Sequence, residues 1–278
     1  VVIAAAPVLT PTPGSMTYTV EPFDYDGTMG ITMTVTQDQF GGKMCPCTKI
    51  PYPADGSAAD NQKGADAIQA ATKYMHPNDI IMGFSLGVQV ISLWLSQHTP
   101  PPGVHILLAG DTWARNLQLL GTANTNTATP NATGQGIPLN IGTDVTMVVN
   151  EYDGWSDSPD LTNSPNYSLA MSNAYQGTNR LHYYALADLA NPANLVTRAG
   201  NITMVLIPTQ NLPNNDWMRS GPGPNPSVDP IDAQQRPLIN SAYSRPASTA
   251  AQQAAAGAEQ VPLPNPAWAQ NPEPVVAP

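Results

Sequence analysis

Charge is what this 278-residue sequence has least of. Asp, Glu, Lys and Arg together make up 11% of it, less than half the share of roughly 25% usual in soluble domains. Ten residues are Lys or Arg and twenty are Asp or Glu, a formal net charge of −10. So few cations cannot form a large basic patch, which argues against nucleic acid and anionic membrane surfaces as partners. No apolar run approaches the roughly 20 residues a membrane-spanning helix needs, so the chain is not expected to be transmembrane. Cysteine is nearly missing too: Cys45 and Cys47 stand in Met-Cys-Pro-Cys-Thr. One intervening residue is too close for an ordinary disulfide geometry. Two thiols with no nearby His make a poor zinc site. Both cysteines are therefore expected as plain thiols, and no metal site is expected.

Asn, Thr, Ser, Gln and Pro take the place of charge, a surface chemistry more typical of secreted or particle-bound proteins. Apolar residues reach 41%, enough for one large α/β domain with a real core. The chain divides into three by composition. Residues 1–15 are a Pro- and Ala-rich extended arm. Residues 16–215 alternate short apolar runs with helical periodicity. From residue 216 to 278 Pro, Gly, Ala, Asn and Gln dominate, and this reads as an extended tail with one short helix at 247–256. Such a tail cannot bury a core of its own. Arm and tail are expected to be held by neighbouring copies or a larger assembly.

Within the central part, strands are expected at 16–25, 48–52, 80–84, 104–109, 144–150 and 202–207. Helices are expected at 61–75, after residue 85, at 111–120, and over 168–190 with a break near Gly177. Residues 31–40 are ambiguous, and 121–142 read as a long loop or lid. Strands and helices alternating at these lengths imply a doubly wound, largely parallel sheet.

The most informative stretch is Ile80–His98. Asp79-Ile-Ile-Met is a short buried-strand pattern. Gly83-Phe84-Ser85-Leu86-Gly87 follows, and then Val88, Ile91 and Leu95 give helical spacing. This strand–turn–helix setting of G-x-S-x-G is that of a hydrolase nucleophile elbow. The turn is tight enough that its flanks must be glycine. The helix N-terminus points at the serine, and the Leu86 amide is placed to donate to a developing oxyanion.

A nucleophilic serine needs a base and a carboxylate behind it. His76 starts the strand leading into the turn, His98 lies at the far end of the following helix, and His105 is inside a strand. His182 alone fits the chain order Ser…Asp…His comfortably. The strand at 144–150 leads into Asn-Glu-Tyr-Asp153-Gly-Trp-Ser-Asp157-Ser-Pro, and ligands bind at the carboxyl ends of strands in such sheets. Asp157, three residues past Gly154, is the expected acid. Asp153 is nearer the strand end and is the alternative. Either is also able to serve only as a cap for the loop and the helix after it.

Four stretches together resemble one family. They are Gly-Phe-Ser85-Leu-Gly, Glu151-Tyr-Asp-Gly-Trp-Ser-Asp-Ser-Pro followed by His182, Gly200-Asn-Ile-Thr-Met-Val-Leu-Ile-Pro-Thr-Gln-Asn-Leu-Pro213, and Ile137-Pro-Leu-Asn-Ile-Gly142. They are similar to the PE-PPE domain, a cutinase-like serine esterase domain of mycobacterial surface proteins, over roughly residues 18–212. The Tyr-Asp-Gly-x-x-Asp-x-Pro stretch is the most specific part. A PE or PPE module usually stands before this domain, whereas a short arm stands before it here. The resemblance implies an α/β-hydrolase (cutinase-like) fold and a Ser85–Asp157–His182 triad. It implies an acyl ester or lipid substrate and neither metal nor cofactor. The oxyanion would be held by the Leu86 amide and one near Gly27 or Thr28. Location is expected to be extracellular or at the cell surface. The competing expectation is a structural or adhesive surface or virion protein, such as one of a phage particle, that keeps the hydrolase fold and assembles through arm and tail.

Overall fold

The computed structural model describes residues 9–23, 34–110, 137, 141–219 and 225–256. Among the described residues seven strands form one sheet in the order β2-β1-β3-β4-β5-β7-β6. They are β1 (Thr17–Val20), β2 (Cys47–Lys49), β3 (Ile80–Phe84), β4 (His105–Ala109), β5 (Val145–Asn150), β6 (Leu195–Ala199) and β7 (Ile202–Ile207). Every pairing is parallel except β6 with β7, an antiparallel edge hairpin. The helices are a single turn α1 (Val35–Asp38), then α2 (Ala58–Ala71), α3 (Leu86–Gln97), α4 (Tyr167–Leu181), α5 (Asp229–Asn240) and α6 (Ala250–Ala256). This is a mainly parallel α/β sheet of the hydrolase-like kind.

The central strands are apolar throughout because both faces are covered. Alternate residues supply two cores. Ile81, Ile106, Leu108, Met147 and Val149 meet Ile68 of α2 and Val88, Ile91 and Trp94 of α3. Met82, Phe84, Leu107, Ala109 and Val148 face the other way, onto Phe40, Met44, Tyr184 and Leu189. A third cluster lies beyond the strand ends, where Tyr152, Ala170, Leu181 and Leu212 pack on Ile239, Ala242 and Tyr243.

Several elements differ from their sequence reading. Helix α2 starts three residues early because the Ser57 side chain accepts the Asp60 N–H as an N-cap. No break occurs at Gly177: α4 runs through it unbroken. The glycine is there for close approach, since a Cβ at this position would sit 2.0 Å from the Tyr152 carbonyl oxygen. The edge strand β6, Leu-Val-Thr-Arg-Ala, has no apolar run long enough to announce it. Cys45 and Cys47 are not thiols but a disulfide; a tight turn at Pro46 brings their Cα atoms to 4.5 Å, inside the range a disulfide spans. The expected helix at 111–120 and most of the 121–142 loop lie outside the described residues.

The largest correction concerns residues 225–249, which are not extended, whereas the short helix expected at 247–256 is present as α6. Asp229–Asn240 is a helix with Pro230 in its first turn, where a missing N–H costs nothing. Its Ile239 is fully buried. The following segment is tied down in turn: the Asp160 and Leu161 N–H groups donate to the Ala242 carbonyl at 3.1 and 3.0 Å. The Ser244 N–H donates to Asp160 at 2.8 Å. Among the described residues no helix is long and apolar enough to cross a membrane.

Candidate active site

β3 delivers Phe84 buried at the sheet's carboxyl end and then turns at once into α3. The turn residue, Ser85, has φ 53° and ψ −118°, a conformation L-residues avoid and one that persists only when its surroundings over-determine it. The surroundings do. The Ser85 N–H donates to the Ala109 carbonyl at 3.0 Å, and the Val88 N–H returns to the Ser85 carbonyl at 2.9 Å. The flanking glycines are obligatory. A Cβ on Gly83 would lie 2.9 Å from the Gly87 backbone, and one on Gly87 would lie 2.2 Å from the Val20 oxygen. Leu86 opens α3 immediately after the serine.

His182 arrives from the opposite end of the chain's logic, as the residue that stops α4. The Asn150 amide donates to the Leu181 carbonyl at 2.6 Å, fixing that helix end to the end of β5. The imidazole then lies with its ring centroid 5.2 Å from that of Phe84 and 6.3 Å from that of Trp155. Gly110, at φ 63°, makes room: a Cβ there would stand 2.9 Å from the His182 ring and 2.9 Å from the Tyr184 ring. His182 Nε2 is 2.9 Å from Ser85 Oγ.

The carboxylate on the other ring nitrogen belongs to Asp153, with Oδ2 2.7 Å from His182 Nδ1. Asp157, the acid expected from the sequence, is not brought to the imidazole. The side chain of Asp157 turns away and accepts Arg245 Nε at 2.7 and 2.8 Å and the Tyr152 N–H at 2.7 Å. Burial pushes the Asp157 carboxyl up from its ordinary value, against the pull of Arg245. In this arrangement Asp157 shapes the turn. Its bond to the Tyr152 N–H supports that residue at φ 68°, and the left-handed bend aims the next side chain, Asp153, at the histidine. Gly154 completes the fit, since a Cβ there would stand 2.3 Å from the Ala174 oxygen of α4.

Asp153 is fully buried and well supplied with donors. Its Oδ2 also receives the Ser156 hydroxyl at 2.5 Å and the Tyr184 hydroxyl at 2.8 Å, and Oδ1 receives the Trp155 N–H at 3.0 Å. Tyr184 and Gly110 carry no motif that sequence reading singles out, and Ser156 and Asn150 stand in the quoted acid stretch with no role read for them. Tyr184 is two residues past His182, which is its only signal. Arg245 and Glu151 form a second buried layer: Glu151 accepts from the Thr209 N–H, Ser248 Oγ and Arg245. The guanidinium of Arg245 is held charged by Asp157 and Glu151 despite its burial.

Of the other candidates, Gly27 and Thr28 lie outside the described residues. His76 is exposed and 3.8 Å from Asp79. His105 begins β4 and His98 ends α3; neither is brought to Ser85. Among the described residues no cluster of three or more His, Cys, Asp or Glu side chains is arranged to hold a metal ion.

A mainly parallel sheet, a strained serine turn at its carboxyl edge and flanking helices define an α/β-hydrolase-like protein. The family model of the PE-PPE domain matches residues 46–244, most of the chain, and the chain belongs to that family. Membership places it among lipase- and esterase-like hydrolases with a cutinase-like fold. The match extends past residue 212, where the motif resemblance stops, and takes in α5 and the segment that follows it. Among curated proteins and among solved structures nothing matches the chain.

Proposed function

We propose that the chain is a serine esterase acting on acyl esters of lipids. Ser85 is the nucleophile, His182 the proton carrier and Asp153 the carboxylate that orients it. One observation carries this reading: the continuous line Ser85 Oγ, His182, Asp153 with spacings of 2.9 and 2.7 Å at a strained turn. In the first half-reaction His182 Nε2 takes the hydroxyl proton as Ser85 Oγ bonds to the acyl carbon. The proton then passes to the departing alkoxide, leaving an acyl-serine and an alcohol. Water repeats the sequence: its proton goes to His182, its oxygen to the acyl carbon, and the proton returns to Ser85 as the acid departs. Asp153 holds Nδ1 protonated throughout and offsets the imidazolium charge. The Leu86 amide, at the N-terminus of α3, faces the developing oxyanion. No step draws on a metal or a cofactor.

A disulfide such as Cys45–Cys47 persists in oxidising compartments, which favours a location outside the cytoplasm. The test is covalent labelling by a fluorescent fluorophosphonate, together with turnover of p-nitrophenyl esters of graded chain length, for the wild type beside Ser85→Ala. Labelling and turnover confined to the wild type support the reading, and the length profile sizes the acyl site. A folded wild type that neither labels nor turns over ester overturns it.

A further inference from the structure

We infer that Tyr184 is a positioning residue of this site, acting on His182 through Asp153; the inference rests on the triad reading above. Its hydroxyl reaches the Asp153 oxygen that also takes His182 Nδ1, at 2.8 and 2.7 Å respectively. The same phenol oxygen accepts the Asn150 N–H at 3.2 Å and lies 3.1 Å from Ser156 Oγ. A single phenolic proton thus has Asp153 and Ser156 as acceptors, while a backbone N–H holds the oxygen from behind.

The geometry of Tyr184 is itself over-determined. Its N–H donates to the Gln39 side-chain oxygen at 2.8 Å, and its carbonyl accepts the Phe40 N–H at 2.9 Å. Both backbone polar groups are therefore pinned to one strap. That strap is held in an unusual conformation, with Phe40 at φ 57° and Gly41 at φ 64°. The ring is wedged between Phe40 and Phe84, with centroids 6.5 and 6.2 Å away, and is fully buried. A phenol needed only for packing would be served by phenylalanine. Here the hydroxyl instead joins the acid carboxylate, and burial together with the Asp153 charge pushes its pKa far above the ordinary range. It stays a donor at every working pH.

The consequence is electrostatic. A hydrogen bond donated to a carboxylate lowers the charge density that the carboxylate presents elsewhere. Tyr184 and Ser156 thus weaken the hold of Asp153 on the imidazolium, through two hydroxyls donated to the oxygen that faces His182 Nδ1. They also fix the position of Oδ2 against the ring. Tyr184→Phe leaves the ring in place and removes the moderating donor. Titration of His182 then moves to higher pH, and so does the acid limb of kcat/KM.

The experiment follows His182 by its imidazole C–H resonance in NMR against pH, assigned with His182→Gln. The samples are the wild type, Tyr184→Phe and Ser156→Ala, with kcat and KM for a p-nitrophenyl ester measured on the same preparations. In Tyr184→Phe the His182 midpoint is expected to rise by roughly 0.5 pH unit. The acid limb should rise with it, and kcat should fall roughly tenfold with KM unchanged. Ser156→Ala, which removes the other hydroxyl from the same oxygen, shifts the midpoint in the same direction and carries the test if Tyr184→Phe does not fold. A His182 midpoint unmoved in the folded variants overturns the inference, even where kcat falls, because lost packing alone would not change the titration. The NMR readout needs no turnover. An inert wild type whose His182 still responds to Tyr184 would sink the esterase reading and leave the positioning role standing.

Discussion

Exchanging one carboxylate for its amide at two positions four residues apart separates chemistry from architecture at this site. In Asp153→Asn the group facing His182 Nδ1 at 2.7 Å loses its charge. The amide no longer fixes the imidazole tautomer, because its NH2 is able to donate to Nδ1 and leave Nε2 protonated, the wrong way round for taking the Ser85 proton. In serine hydrolases an acid-to-amide change of this kind costs about 10⁴ in kcat, or about 5.5 kcal/mol of transition-state stabilisation. Asp157→Asn acts elsewhere. It weakens the double contact from Arg245 Nε at 2.7 and 2.8 Å and leaves the buried guanidinium with Glu151, at 3.3 Å, as its charged partner. Breaking one side of a buried pair costs about 3–5 kcal/mol. With Glu151 still in place the lower end applies, about 3 kcal/mol, or roughly 6–12 °C in Tm for a domain of this size. The assay is kcat for a p-nitrophenyl ester at 15 °C beside a thermal melt for each variant. Asp153→Asn should lose roughly three to four orders of magnitude in kcat with a smaller change in Tm, and Asp157→Asn should lose Tm while keeping kcat within about tenfold. A folded Asp157→Asn with kcat down a thousandfold, next to an active Asp153→Asn, would refute the assignment.

Three further outcomes follow from contacts already described. Gly177→Ala should destabilise by more than the roughly 1–3 kcal/mol of ordinary overpacking, since the new Cβ would meet the Tyr152 oxygen at 2.0 Å; urea titration measures it, and a shift below 0.5 kcal/mol would contradict the close approach. Gly110→Ala should cut fluorophosphonate labelling sharply while leaving far-UV circular dichroism unchanged, because its Cβ would stand 2.9 Å from the His182 ring. Burial raises the carboxyl groups of Glu21 and Asp216 above their ordinary values. Between the unfolded value, about 4, and the raised native one, the native state therefore binds more protons than the unfolded chain. Stability falls as pH rises through that window. Urea midpoints should accordingly be higher at pH 5 than at pH 7, with Glu21→Gln flattening the difference, and a lower midpoint at pH 5 would reverse the sign.

What the sequence disclosed and what it hid have physical causes. Strands β3, β4, β5 and β7 are doubly covered and therefore nearly all apolar, a pattern visible without a structure. Ser85 is equally visible, because its turn admits only glycine at both flanks. The choice between Asp153 and Asp157 was not legible. Both follow the same strand end, and what separates them is a left-handed Tyr152 and a cation 88 residues further along the chain. Strand β6 was hidden for a different reason. An edge strand buries one face at most, so Thr197 and Arg198 interrupt its apolar run.

Residues 225–249 were misread because low charge and high Pro and Gly look the same in a linker and in a cap that borrows its core from elsewhere. This one borrows. Ile239, Ala242 and Tyr243 complete a cluster whose other half is Tyr152, Ala170 and Leu181, and Arg245 and Ser248 supply partners to Glu151 and Asp157. A chain ending at Asn240 keeps α5 but loses Arg245, so two fully buried carboxylates remain with Arg236 near one of them at 3.5 Å. Uncompensated buried charge costs at least about 3–5 kcal/mol, a large part of the total stability of about 5–15 kcal/mol typical of a domain. The same truncation releases the Tyr152 turn and so misaims Asp153. A chain ending at Asn240 should therefore be recovered unfolded or, if soluble, without fluorophosphonate labelling. A chain ending at Ala256 retains every one of these contacts and should label like the full chain. If the shorter chain folded and labelled normally, neither the buried layer of Arg245 nor its hold on the acid turn would be needed. The candidate site would then depend on the central sheet and α4 alone.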